Sequence, residues 1–367
     1  MKKQIIILLF SLCILPAFAE HETPEEKQDL NVKELILDHI GDGYGWHITT
    51  FGHTHVSIPL PIIVKGQESG WHVFSSSKLG HGEEYKGFYI AQEEPYKGKI
   101  VEKISASNEE GYEVVRPWDF SITKNAASLL LSSITLICLI LYCSRWYKKR
   151  QGQADTASPK GFIAFVEMVI MSVVDDIIKP CVGKNYRRYT PYLLTAFFFI
   201  IFNNLLGLIP IFPGGANVTG NIAITAVLAI FTVVIVNIFG SKEYWREILW
   251  PDVPVWLKVP IPIMPAIELI SVFTKPFALM IRLFANILAG HSIVLGLVCM
   301  VFLTVRLGAA MNAGMSLLAV VMVVFISCVE LLVAYIQAYV FTMLSAVFIG
   351  LSQVEPHHPH KKEIINH

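Results

Sequence analysis

The chain has 367 residues, 54% hydrophobic and only 16% charged, below the roughly 25% charged share of a soluble globular domain. Its mean hydropathy is +0.54, and Lys plus Arg balance Asp plus Glu at 29 each, so no bulk charge attracts nucleic acid. The composition is that of a membrane protein, in which charge has to be read by position.

Met1 to Ala19 reads as a secretory signal: Lys2 and Lys3, an apolar core from Ile5 to Leu15, then Ala17-Phe18-Ala19 before Glu20. That core falls short of the ~20 residues a membrane span needs, and Pro16 breaks it, so the mature chain is expected to start at Glu20. Residues 20–124 are polar and rich in glycine and aromatics. Alternation at Trp46, Ile48, Thr50 and at Val56, Ile58, Leu60, Ile62 predicts strands, separated by turns at Gly41-Asp42-Gly43, Lys65-Gly66 and Gly80-His81-Gly82. No cysteine lies between Glu20 and Lys124, which excludes a disulfide framework there. The segment holds His39, His47, His53, His55, His72 and His81. His53 and His55 share one strand face, but no acidic or thiol cluster completes a metal set, so no metal is expected. The expectation is a small β-rich extramembrane domain that leans on a neighbour and is peripheral to ion transfer.

The membrane domain is read as residues 125–352. Its first span, about Ala126 to Cys143, is followed by Arg145, Lys148, Lys149 and Arg150, which places this loop in the cytoplasm and the preceding domain outside. Gly161 to Pro180 is apolar yet carries Glu167, Asp175, Asp176 and Lys179, the pattern of a helix lying along the interface. Lys184, Arg187 and Arg188 keep the chain inside before a second span, Tyr189 to Ile209, which ends at Pro210 and Pro213-Gly214-Gly215. A third span, Asn221 to Phe239, returns to Lys242 and Arg246. The apolar stretch Pro260 to Thr304 would make a helix about twice the ~30 Å hydrocarbon thickness, so it must be steeply tilted or bent. After Arg306 to Gly314 a last long stretch, Met315 to Leu351, leads to a polar cytoplasmic tail at 353–367 with Lys361 and Lys362. The expected fold is an all-α polytopic membrane bundle of about five membrane helices. Its last two helices are long and tilted, an interfacial helix accompanies them, and the β-rich domain precedes them.

Glu268, Lys275 and Arg282 lie seven residues apart, on one stripe that drifts only ~20° per step around a helix. Each intramembrane charge costs at least ~2.5–3.5 kcal/mol, so such a stripe marks a buried or water-filled face. Lys275 has a bland alternative, snorkelling to the interface. Arg282 has none as simple: its neighbours are apolar, and a guanidinium does not deprotonate. Asn286 lies one turn further on nearly the same face, whereas His291, nine residues on, points to the other side, toward other helices. In the final stretch Glu330 and Gln337 are again seven apart, and Glu330 has no cation near it in sequence. A bare carboxylate in lipid takes up a proton, so a partner on another helix is needed, and His291 is the leading candidate. Such a pair can pass protons, or simply fasten two helices.

The run from Glu268 through Lys275-Pro276 and Arg282-Leu-Phe-Ala-Asn286 to Gly290-His291 resembles the signature of subunit a of F-type ATP synthases. Glu330 and Gln337 fit that family's final helix, and Asn204-Leu-Leu-Gly-Leu-Ile-Pro210 and Asn217-Val-Thr219 resemble its earlier ones. The similarity covers Ala126 to Ser352. It implies that Arg282 is the stator arginine facing a ring of c subunits, with Gln337 and Asn286 near it. Glu268, His291 and Glu330 are implied in proton access, with Lys275, Asn204 and Asn217 supporting. Some relatives carry the acid and the imidazole in exchanged positions, which preserves the pair. The implied function is a proton-translocating stator with two offset half-channels, non-catalytic on its own and without a cofactor. Implied partners are the c ring, b-type peripheral stalk subunits, the rest of the synthase, the lipid bilayer and protons. The implied location is the bacterial inner membrane, with the N-terminal domain periplasmic and the C-terminus cytoplasmic. The competing reading, a secondary proton-coupled ion transporter, would show paired Gly/Pro-broken helices in two halves of the chain, and none are apparent. No nucleotide-binding loop occurs.

Overall fold

In the computed structural model, strands give way to helices at Lys124. The structure describes residues 41–51, 54–67, 69–93, 95–105, 112–150, 159–209, 215–249 and 263–353. The expected signal segment, His39, His53 and the tail beyond Gln353 lie outside these.

The N-terminal segment forms β1 (Gly45–Phe51), β2 (Thr54–Pro59), β3 (Pro61–Lys65), β4 (Trp71–Ser75), β5 (Phe88–Ile90), β6 (Ile100–Ser105), β7 (Tyr112–Val115) and β8 (Trp118–Asp119). The alternation expected from Val56 to Ile62 divides between β2 and β3, with Leu60 between two prolines at the break. β1 and β2 form a hairpin in which Trp46 faces Ile58, and the other strands make two antiparallel sheets, β4-β3-β8 and β5-β6-β7. Inward residues of these sheets, Ile62, Val64, Phe74, Phe88 and Ile100, close a small core with Tyr44 and Leu79. Glu102 is buried, and it accepts from the Gln67 N–H at 2.8 Å and the Ser69 hydroxyl at 2.6 Å, which offsets its desolvation.

This domain is fastened to the first membrane helix, α1 (Lys124–Arg150). A helix start leaves its first N–H groups without intrahelical partners. Here the Lys124 N–H donates to the Gly43 carbonyl at 2.8 Å and the Asn125 N–H to Asp42 Oδ1 at 3.0 Å. Beside them the Tyr44 hydroxyl donates to Asp119 Oδ2 at 2.5 Å, and burial together with that bond pushes the phenol above the usual tyrosine range.

After α1 come α2 (Phe162–Ser172), a π-helical segment at Val173–Ile178, and the short α3 (Lys179–Val182). This stretch exposes Phe162, Phe165, Met168 and Met171, and pairs Lys179 with Asp175, a mixed surface suited to an interface. The bundle continues with α4 (Tyr186–Leu208), α5 (Ile222–Ile238), α6 (Lys242–Leu249), α7 (Ile263–Thr304) and α8 (Ala309–Ser352). Among the described residues α1, α7 and α8 contain windows long and apolar enough to cross a membrane, and α5 is a shorter apolar helix. With α4, these are the membrane helices read from the sequence. α7 has 42 residues and would be ~63 Å long, so it must lie strongly tilted in a ~30 Å core. Pro276 interrupts its hydrogen-bond ladder.

Inside a membrane, helices associate through close packing, which favours small residues at their contacts. The buried face of α8 has Ala334, Ala338, Ser345, Ala346 and Ser352, and it packs with Leu193, Phe197 and Ile200 of α4 and Leu279 and Leu283 of α7 in a common core. Near its end, Gly350 meets α3 backbone to backbone, because a Cβ there would fall on the Cys181 carbonyl. The Ser241 N–H donates to the Ser352 carbonyl at 2.8 Å, and Gln353 Nε2 to the Phe239 carbonyl at 2.6 Å. The end of α8 is thereby pinned to the α5–α6 turn, at the bundle end opposite the β-rich domain.

Candidate functional site

The polar side chains of α7 fall into three groups. Near its start, Lys275 Nζ lies 3.9 Å from Glu268 Oε1 and 5.8 Å from the ring centroid of Phe348 on α8. Lys275 therefore pairs along the stripe read from the sequence. It also lines a small cavity of about 30 Å³ with Thr232, Asn237, Tyr244 and Phe348. Tyr244, on α6, is pushed above the usual tyrosine range by burial and then by the charge of Glu268.

The second group is Arg282 and Asn286. Leu279 and Leu283 turn into the core, and Arg282 and Asn286, both exposed, flank that buried stripe on one edge of it. The exposed apolar residues Ile281, Phe277 and Phe273 lie about 100–180° further round the helix from Arg282. The guanidinium is thus exposed at the edge of the packed face. Gln337, by contrast, is buried on α8.

In the third group, His291 Nδ1 lies 3.7 Å from Glu330 Oε1, with both side chains mostly buried. The pair expected from two distant stretches of sequence is brought together. Gly290 makes it possible, because a Cβ there would overlap the Glu330 carboxylate. On the other side of His291 stands Gly207 of α4, whose Cβ position is 3.8 Å from His291 Nε2 and 3.8 Å from the Ala216 carbonyl oxygen.

Asn204 ties the same region to the loop before α5. Its Nδ2 donates to the Ala334 carbonyl of α8 at 3.3 Å, and its Oδ1 accepts from the Thr219 hydroxyl at 2.7 Å. Asn217 Oδ1 accepts from the Gly220 N–H at 2.9 Å, while its Nδ2 is buried with no hydrogen-bond partner among the described residues. Asn221 then caps α5, accepting from the Ala223 N–H at 3.0 Å.

Sequence reasoning quoted Gly290, Gly207 and Thr219 only as parts of longer runs and gave none of them a role. The available signal was glycine inside an apolar helix next to polar residues, which marks close approach of another group. Chemically, the arrangement offers a carboxyl–imidazole pair able to exchange protons and, apart from it, an exposed guanidinium able to meet a facing anion.

Residues 128–350 match the family described as ATP synthase A chain. The chain belongs to that family. It is 36% identical over 335 residues to ATP synthase subunit a of Chlorobium phaeobacteroides, covering 86% of this chain and 90% of that relative. It is 39% identical over 260 residues to ATP synthase subunit a 2 of Chlorobaculum tepidum, covering 68% of each chain. To ATP synthase subunit a of an Anaeromyxobacter species it is 31% identical over 352 residues, covering 92% of this chain and 74% of that relative. Residues 35–120 match a separate family described as a domain of unknown function. The ATP synthase A chain member is thus a non-catalytic, multi-pass membrane subunit serving ATP synthesis and proton transport, as the run around Arg282 implied.

Proposed function

We propose that this subunit carries protons to and from a rotating c ring through two offset half-channels, with Arg282 as the fixed charge between them. The observation that carries the reading is Arg282, exposed within the apolar α7 at the edge of the face that packs into the bundle. A permanent charge in that position needs an anionic partner beyond the chain, and a passing rotor carboxylate supplies one. A rotor carboxylate faces lipid only when protonated, because the ionised form is too costly there. Beside Arg282 the ionised form is favoured, so the proton leaves to one side, and another is taken up from the other side after rotation. The same charge keeps protons from passing directly between the half-channels. Each proton crossing ~100 mV releases ~2.3 kcal/mol, so a ring must sum several for each ATP.

His291 and Glu330, with Asn204 and Asn217 around them, form the path on the side of the β-rich domain; Glu268 and Lys275 form the path toward the opposite end. Asn286 and Gln337 border the arginine. The basic residues Arg145, Lys148, Lys149, Lys184, Arg187, Arg188, Lys242 and Arg246 lie toward the end away from the β-rich domain. That bias supports a bacterial inner-membrane orientation with the domain periplasmic and the C-terminus cytoplasmic. The peripheral stalk of b-type subunits completes the stator.

The test is Arg282→Ala in the purified complex, reconstituted in vesicles under an imposed proton gradient. ATP synthesis and ATP-driven pumping are expected to vanish with assembly retained; near-normal coupled synthesis would overturn the assignment.

A further inference from the structure

The β-rich domain is not merely tethered beside the first span. Trp46 of β1 is buried, and its seat is Ala216 and Val218, the loop that joins α4 to α5, with Ala127, Leu129 and Leu131 of α1 and Ile224 of α5 packed around it. The indole thus lies in the N-terminal domain, and Ala216 and Val218, which it covers, lie in the region matched to the ATP synthase family. An indole of this kind buries on the order of 150–250 Å² and loses little conformational entropy in doing so.

What Trp46 covers is the outer side of the turn whose inner side holds the polar pair. The Ala216 carbonyl and His291 Nε2 both lie against Gly207. Thr219, three residues on, donates to Asn204, and Asn204 donates to the carbonyl of Ala334, one helical turn after Glu330. The turn runs from Gly215, with φ of 75°, to Gly220, whose N–H is held within it by Asn217 Oδ1 at 2.9 Å. It is therefore clamped between Trp46 outside and the His291–Asn204 region inside.

We infer that Trp46 is a positioning residue for proton access: by seating the Ala216–Thr219 turn it fixes the mouth through which protons reach His291 and Glu330. This rests on the assignment of that pair to the path on the domain's side. A loose turn would leave the ring and Arg282 intact and would weaken capture of protons at the mouth. The effect is then expected on the proton concentration needed for half-maximal flux more than on the maximal rate.

The experiment uses the whole complex in vesicles, with proton flux measured against proton concentration on the side of the β-rich domain and normalised to assembled complex. Trp46→Ala should raise the half-saturating concentration about threefold or more, with the maximal rate changed by less than about twofold. Trp46→Phe, which keeps a ring in the seat, should restore it. Thr219→Val, which breaks the inner attachment of the same turn, should act like Trp46→Ala. Unchanged half-saturation in Trp46→Ala overturns the inference, as does a loss confined to the amount of complex with each surviving complex conducting normally. If Trp46→Ala yields no complex, Thr219→Val decides: a raised half-saturation supports the inference, and a wild-type value overturns it. Arg282→Ala runs in parallel, so coupled synthesis persisting there strikes the rotary reading itself, whatever the Trp46 variants do.

Discussion

Gly290 of α7 and Glu330 of α8 compete for one volume: the Glu330 carboxylate lies where a side chain on residue 290 would begin. Glycine inside a helix costs about 1 kcal/mol relative to alanine, so its presence in α7 works against helix propensity. What it provides is a direct line from Glu330 to His291, at 3.7 Å. Gly290→Ala should push the carboxylate away at a cost of about 1–3 kcal/mol, enough, if it falls on proton transfer, to lower ATP-driven pumping about fivefold or more. The complex should still assemble, because the displaced group is a flexible side-chain end. Normal pumping per complex, measured in vesicles, would show that the carboxylate works equally well elsewhere.

The same pair should behave as a unit. Each side chain offsets the other's desolvation, so Glu330→Ala and His291→Ala should each impair pumping severely, and the variant that exchanges the two residues should retain more activity than either. A coupling energy of at least about 0.5 kcal/mol in the double-mutant cycle is expected. Additive losses would show that the two groups act at separate places.

The His291–Glu330 pair was legible in the sequence because an unpaired intramembrane carboxylate is too costly to leave alone. The spans were legible because apolar length is a direct reading of bilayer thickness. Their ends were less so: the span read as Ala126 to Cys143 is a helix from Lys124 to Arg150, since a helix continues through basic interfacial residues that hydropathy leaves out. Asn221, read as the first residue of a span, is the cap of α5. The seat of Trp46 on Ala216 and Val218 was not legible at all. It joins residues about 170 positions apart in different structural classes, and no periodicity records such a contact. Strand alternation shows that Trp46 turns inward; it does not show against what.

Gly350 offers a contrast with Gly290, because the atom in the way is backbone. A Cβ on residue 350 would meet the Cys181 carbonyl, and α3 would have to move as a whole. Gly350→Ala should therefore destabilise the chain by about 1–3 kcal/mol, lowering thermal stability in detergent and the yield of complex. Gly314, also in α8, has open space around its Cβ position. Gly314→Ala should raise helix stability by about 0.5–1 kcal/mol. Equal responses from the two substitutions would mean that the α8–α3 contact is looser than its geometry.

The joint between the β-rich domain and α1 should be sensitive to alkali. Tyr44 is buried and donates to Asp119, so its phenol keeps its proton above the usual range, whereas in the unfolded chain it ionises near its ordinary value of 10.0. Below that value both states hold the proton and stability does not change on this account. As pH rises through it, the unfolded chain releases a proton that the folded domain retains, and stability falls. Tyr44→Phe loses a hydrogen bond worth about 0.5–1.5 kcal/mol, although Asp119 still accepts from the Ser121 N–H at 2.9 Å. The variant should therefore be less stable at neutral pH yet show a shallower alkaline limb. Near-ultraviolet circular dichroism of the full chain in detergent, followed through unfolding between about pH 8 and pH 11, compares the two slopes. Parallel curves would show that Tyr44 ionises as freely in the folded domain as outside it, and that the Tyr44–Asp119 bond does not hold this joint.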